Sequence, residues 1–285
     1  MRVILPGLVT TVAVCVLSMH SYGACVWRVS DDTGKVLYLG GSIHALTSTD
    51  YPLPAAYNHA FDASAHLVLE ANPKEFRDLP KNVLKAGEYP KGDNLKNHVD
   101  PRTYDYLRRF FGLIKVPEEK FSRYRPWLLA EMLEAPQLHG LSLDLGVEGF
   151  LIRRAQMNSK PISGLETLKE GMEIMSGLTD RQSETVLLLT FIPTEHGKEQ
   201  FATMKEAWRR GDTETLWRIG HQQFRDFPSM EEREINARNH NWIPKIEKYL
   251  HSGQIYFVVV GAGHMGGPDG VLALLRQRSY RIEQL

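Results

Sequence analysis

Two short segments near opposite ends of the chain place the same four-residue pattern directly behind an apolar run. Val36 to Leu39 leads into Gly40-Gly41-Ser42-Ile43-His44, and Ile255 to Val260 leads into Gly261-Ala262-Gly263-His264. Short apolar runs bounded by glycine read as buried strands. A helix opened near a proline follows each one, Leu53-Pro54 through Phe61 in the first case and Gly270 to Gln277 after Pro268 in the second. Another strand then closes each unit, His66 to Glu70 and Tyr280 to Ile282. Strand, helix, strand at both ends is expected to combine into one sheet drawn from both ends of the chain. An internal duplication is compatible with this likeness, although two short segments do not establish one. Val26 to Val29 adds a hairpin partner to the first strand across Ser30-Asp31-Asp32-Thr33-Gly34.

The middle of the chain has a different period. Tyr104 to Phe111, Trp127 to Leu138, Val147 to Met157, Thr179 to Ile192, Glu199 to Arg210 and Met230 to Tyr249 carry apolar residues at three- and four-residue spacing, the signature of amphipathic helices. Lys160 to Glu166 interrupts them as a strand edge followed by a loop. The expected fold is α/β, a central sheet formed from the N- and C-terminal segments with a large, mainly helical insertion acting as a cap. Residues 24–73 and 252–285 make the core of a single domain, and residues 74–251 make the insertion.

The first residues read as an export signal. Arg2 is a short positive region, Val3 to Met19 is apolar apart from small and hydroxyl residues, and Ser21-Tyr22-Gly23 supplies a cleavage site near Gly23. Pro6 and Gly7 break the apolar run and no basic cluster follows it, which disfavours a permanent span. The expected location is periplasmic or secreted. Tyr22-Gly23-Ala24-Cys25 resembles a lipoprotein box with the wrong leading residue, and lipidation of Cys25 is the competing reading. Cys25 is the one cysteine left after cleavage, so no intramolecular disulfide forms and burial holds the fold together. Acidic and basic residues number 34 each and are mixed along the chain. That balance excludes electrostatic capture of nucleic acid.

Ligand groups in open α/β sheets collect beyond the carboxyl ends of parallel strands. His44 and His264 each stand a few residues past such an end. If their strands are parallel neighbours, both imidazoles reach one rim, and Glu70 at the close of its strand reaches it too. Gly41 and Gly261 are expected to let the backbone turn and approach a ligand. Two imidazoles and a carboxylate suit a divalent ion of the Zn, Mn, Fe or Co group. They equally suit metal-free acid/base work, since histidine titrates near neutrality. A histidine after a strand is also an ordinary turn or core residue. Gly261-Ala262-Gly263-His264-Met265-Gly266 with Glu283 beyond it matches a dinucleotide fingerprint, but too little chain follows to complete a nucleotide-binding sheet. No Gly-x-Ser-x-Gly elbow and no His-Glu-x-x-His helix is present.

Leu37-Tyr38-Leu39-Gly40-Gly41-Ser42-Ile43-His44 resembles the opening motif of the TraB/GumN family, and His66-Leu67-Val68-Leu69-Glu70 its second motif. Asp144, Gly164-Leu165-Glu166-Thr167, Trp208 with Gly211-Asp212, Arg238-Asn239 with Trp242, and Val260 to His264 with Gly267-Pro268 follow in the family's order. The family is similar to the Tiki metalloproteases and more remotely to erythromycin-esterase-like and ChaN-like proteins. The resemblance implies a central sheet with helical insertions and an active centre of His44, Glu70 and His264. Tiki-like members imply peptide-bond hydrolysis dependent on Mn or Co. TraB-like members imply inactivation of a peptide by binding alone, and ChaN-like proteins imply haem-iron binding by the same histidines. The expected function is hydrolysis of a peptide or small amide or ester, with a water proton passing to Glu70 or Glu166. Glu166 and Asp144 are candidates to complete the site, unless they merely start or cap the helices beside them. Arg238, with Asn239 beside it, is a candidate to grip a substrate carboxylate, unless it is a plain ion-pair partner. Trp208, Trp217 and Trp242 are expected in the cap's core.

Overall fold

The computed structural model describes residues 23–134, 141–191, 197–225 and 227–285. The export-signal reading and the ends of the helices expected to reach Leu138 and Ile192 fall outside them. Six strands form one sheet: β1 (Val26–Ser30), β2 (Val36–Ser42), β3 (His66–Ala71), β4 (Ile162–Glu166), β5 (Tyr256–Gly261) and β6 (Arg281–Gln284), in the order β4-β3-β5-β2-β1-β6. The four strands β4, β3, β5 and β2 run parallel, while β1 is antiparallel to β2 and β6 on either side. The α/β class and the assembly of the sheet from both ends of the chain are therefore as the sequence indicates. One strand, β4, comes from the helical middle and forms an edge, so the insertion contributes to the sheet as well as covering it.

Position in the sheet explains each strand's composition. Phe257, Val258, Val259 and Val260 of β5 are buried without alternation, as expected for a central parallel strand covered on both faces. At the far edge, β6 exposes Arg281 and Gln284, which blunts it against further pairing. From β2 the chain passes through the Ala55–Ala63 helix to β3, on the far side of β5; from β5 it passes through the Val271–Arg276 helix to β6, beyond β1. These connections diverge in opposite directions from the β2/β5 pair. Such a switch point opens a crevice at the strands' carboxyl ends.

Of the expected helices, Val147–Met157 forms with those bounds, and Asp180–Leu189 and Gly197–Arg210 form near theirs. Pro228–Glu231, a π turn at Glu232–Asn236 and Ala237–Leu250 follow one another without a break. Leu79–Gly87, Leu168–Ser176 and Thr213–Phe224 are further helices beyond those expected. Caps start two of them: Thr167 receives Glu170 N–H, and the Asp212 carboxylate receives Thr215 N–H. Apolar side chains gather in two clusters. The larger joins both faces of the sheet to the Ala55–Ala63 helix and to Trp208, Trp242, Ile243, Ile246 and Leu250 from the insertion. A second, built on Leu95, Leu107, Phe111, Phe121, Leu129 and Leu187, belongs to the insertion alone. Among the described residues no helix is long and apolar enough to cross a membrane.

Candidate functional site at the carboxyl rim of the sheet

Parallel pairing aligns the strand ends. Ser42 of β2 lies opposite Gly261 of β5, and Ala71 of β3 opposite Glu166 of β4. His44, Glu70, Glu166 and His264 consequently come to one rim, delivered by four adjacent strands. The glycines there serve packing rather than turning, since neither Gly41 nor Gly261 has a positive φ. A β-carbon on Gly41 would stand 2.4 Å from Cys25 Sγ and 3.1 Å from the Ala262 backbone, so only glycine lets these strands close over Cys25. The same atom on Gly261 would stand 3.3 Å from Glu70 Oε1, 3.5 Å from His264 Cδ2 and 3.6 Å from His44 Nε2. The missing side chain leaves a cradle onto which the carboxylate and both imidazoles converge.

Glu70 is the site's fixed negative charge. Its Oε1 accepts the Gly261 N–H at 2.7 Å, and its Oε2 accepts from Arg238 Nη2 at 2.6 Å. Burial alone would raise its pKa, but the neighbouring His264, Arg238 and His44 and the Gly261 amide outweigh burial and hold it at about 2. Arg238 also grips Glu166 through two parallel bonds, Nε to Oε2 at 3.1 Å and Nη2 to Oε1 at 2.7 Å, the strong bidentate geometry. One helical turn on, Trp242 lies under the guanidinium at 4.6 Å and donates its indole N–H to Glu166 Oε2 at 3.0 Å. Breaking a partly buried pair of this kind by removing one member costs about 3–5 kcal/mol.

His264 is buried, and its Nδ1 is 2.7 Å from Asn239 Oδ1. The amide oxygen can only accept, so Nδ1 carries the proton and Nε2 keeps a lone pair. Asn239 Nδ2 is tied to the Asp269 carbonyl at 2.9 Å, which fixes the amide's orientation. Burial lowers the His264 pKa to about 4; the ring is neutral at physiological pH, with Nε2 3.3 Å from Arg238 Nη1. Asn239 is fully buried and spent on His264, and Arg238 is spent on Glu70 and Glu166. In this arrangement both act on the site's own side chains.

His44 is the exposed member, with 64% of its side chain accessible. Its Nδ1 lies 2.9 Å from Glu148 Oε1, an oxygen that Ser42 Oγ also contacts. The Glu148 hydrogen bond and charge raise the His44 pKa to about 9, against the smaller opposing effect of burial. Glu148 stands in the first turn of the Val147–Met157 helix, which docks on the His44 loop through Val147 N–H to the Ile43 carbonyl at 3.1 Å. Gly146 permits that approach, for a β-carbon there would lie 1.9 Å from the His44 carbonyl oxygen. Glu148 Oε2 is buried with no hydrogen-bond partner among the described residues.

Sequence reasoning chose Asp144 in this segment and passed over Glu148. Asp144 is exposed in the short turn Leu143–Leu145, and the Val147–Met157 helix is capped by Gly146 with no side-chain bond. An acidic residue at a helix start was the available signal, but it fits both residues equally. Glu166 ends β4, and the helix beyond it starts at Leu168 with Thr167 as its cap. Trp208 and Trp242 are buried, but in the cluster shared with the sheet rather than in the cap's own core, and Trp217 is only half-buried. Trp208 gives its indole N–H to the Gly41 carbonyl at 2.9 Å and the Tyr57 hydroxyl at 2.6 Å. Trp217 packs against Gly267 and stacks on His221. Beyond Gly261 the chain makes a single 3-10 turn, Ala262–His264, and no α-helix begins before Val271. The dinucleotide fingerprint therefore lacks the helix N-terminus that would face a pyrophosphate.

A mixed α/β sheet with a polar centre at its switch point, roofed by a helical insertion, defines the class. Within it, the chain belongs to the TraB/PrgY/gumN family, which it matches over residues 25–284. It is 22% identical over 273 residues to an uncharacterized protein of Treponema pallidum (strain Nichols), covering 88% of this chain and 80% of that one. It is also 22% identical over 262 residues to the uncharacterized protein YbaP of Escherichia coli (strain K12), covering 88% and 92%. No solved structure matches.

Proposed function

We propose that the chain is an exported hydrolase of a peptide or small amide or ester, working at the Gly261 cradle with a divalent ion, Mn or Co, Zn and Fe being also compatible. The convergence of Glu70 Oε1, His44 Nε2 and the Cδ2 edge of the His264 ring on one open point carries this reading. Two imidazoles and a carboxylate are the right donors for such an ion, and Nε2 of His264 is left with its lone pair by Asn239. His44, Glu70 and His264 would hold the divalent ion, which would supply a water of lowered pKa and a polarised carbonyl. The chain's own groups do the rest. Asn239 and Glu148 orient the two rings, Gly261 leaves room for the reacting group, and Trp242 with Glu166 anchors Arg238. A site carboxylate, Glu70 or Glu166, would take the water's proton. Glu70 is the nearer to the cradle, and both have their oxygens engaged, Glu70 on Gly261 and Arg238 and Glu166 on Arg238 and Trp242.

Replacing His44 or His264 by Ala in the purified protein is expected to abolish both Mn or Co uptake, measured by calorimetry, and metal-dependent fragments from a peptide library. Full cleavage by either variant would overturn the mechanism. A second reading, capture of a peptide without cleavage, is favoured by one observation. Among the described residues, no three His, Cys, Asp or Glu side chains stand close enough together to hold a metal ion as they are. Saturable binding with intact peptide recovered, with or without metal, would establish that reading instead.

A further inference from the structure

Two of the three proposed ion ligands already hold a cation. Glu70 Oε2 and His264 Nε2 both face the Arg238 guanidinium, at 2.6 and 3.3 Å. The remaining Glu70 oxygen is on the Gly261 amide, and the remaining His264 nitrogen is on Asn239. The donors are therefore present and correctly oriented, but their lone pairs are directed at a positive charge that belongs to the protein. Arg238 has other partners besides these two. Glu166 grips it bidentately, the Glu234 carbonyl accepts from Nη1 at 3.2 Å, and the Trp242 ring supports it at 4.6 Å. A guanidinium that let go of Glu70 and His264 would keep these partners. The residues Glu232–Asn236, immediately before it, form a π turn, a local widening of the helix frequent at functional sites.

From this we infer that Arg238 is a resident counter-ion that competes with the divalent ion for Glu70 and His264. In the ion-free protein it pairs with the Glu70 carboxylate and the His264 lone pair; ion uptake requires the guanidinium to release both, held by Glu166 and Trp242. The inference rests on the metal-dependent reading above. It assigns the ion affinity of the site to a residue that is not one of the ligands, and it predicts the unusual outcome that removing a site residue improves binding.

Calorimetric titration of Mn(II) and of Co(II) into the full chain, wild type and Arg238→Gln, tests it, with far-UV circular dichroism as the control for folding. The expected result is at least about tenfold tighter binding in Arg238→Gln, because two donors are released and one repelling charge is removed. Arg238→Lys keeps the charge without the fork, and its affinity should stay closer to the wild type than to Arg238→Gln. Equal or weaker binding by folded Arg238→Gln, with the wild type still binding, overturns the inference and leaves the metal reading intact. No ion uptake by either protein overturns both. Should Arg238→Gln fail to fold, a crystal structure of wild type soaked with Mn(II) decides. Arg238 withdrawn from Glu70 and His264 supports the inference, and Arg238 still bonded to both beside a bound ion refutes it.

Discussion

At the residue scale, two glycines with the same place in the sequence pattern have opposite consequences. A β-carbon on Gly41 would meet Cys25 Sγ at a distance no β-carbon tolerates and the Ala262 backbone tightly, whereas Gly261 faces the open cradle. Gly41→Ala should therefore destabilise the fold by about 1–3 kcal/mol through overpacking, measured by urea unfolding. Gly261→Ala should change stability by less than about 1.5 kcal/mol yet weaken Mn or Co binding about 10–100-fold, the scale of losing an outer partner of a metal site. The reverse pattern would mean that the cradle is not where ligands sit. His44 and His264 differ in the same way. One is exposed and charged by Glu148, the other buried and neutral with its tautomer set by Asn239. The sequence motif makes them equivalent, and their surroundings do not.

At the element scale, the insertion is tied together by polar clips whose strength depends on pH. His98 bridges Asp93 through Nε2 and Asp180, at the start of the Asp180–Leu189 helix, through Nδ1, each at 2.8 Å, while stacked on Tyr89. Burial lowers the His98 pKa, but the hydrogen bonds to Asp180 and Asp93 outweigh it and the net shift is upward. Hydrogen bonds from Asn97 and His98 hold Asp93 at about 2. A raised histidine contributes stability that is complete below its ordinary value, about 6.5, and is lost as pH rises through the folded value. The lowered aspartate contributes above about 3.9 and loses that contribution as pH falls towards about 2. The clip is thus strongest between about pH 4 and 6.5. The urea midpoint of His98→Asn should fall further below wild type at about pH 5.5 than at about pH 9; an equal difference at both would show that the clip carries no linked proton.

At the scale of the whole molecule, the sheet is layered in stability as well as in space. Strand β5 is buried along its length and paired on both sides, whereas β6 is a short edge strand with exposed ends. Amides of Val258, Val259 and Val260 should exchange with deuterium more slowly than any in β6, because they open only with the whole sheet. Comparable protection in β6 would contradict this. The rim site draws on that rigidity, since Glu70 and Gly261 are held by strands in the middle of the sheet, while Glu148, Arg238 and Asn239 arrive on helices of the insertion.

Much of this was legible in the chain. Short apolar runs, some bounded by glycine, and one interruption of the helical pattern located the six strands, and three- and four-residue spacing located most of the helical insertion, because burial of one face or two imposes those periods directly on the sequence. The rim positions of His44, Glu70 and His264 followed from the strand ends. Glu148 did not, because an acidic residue one turn into a helix looks the same in sequence whether it meets a histidine or water. Nor did the roles of Arg238 and Asn239, whose partners come from β3, β4 and the segment after β5. Local pattern determined which elements form, since their periods are set by neighbours in sequence. Only the packing of distant segments against one another decided which charges meet, since electrostatic and hydrogen-bond energies depend on distances of a few ångströms that sequence spacing does not encode.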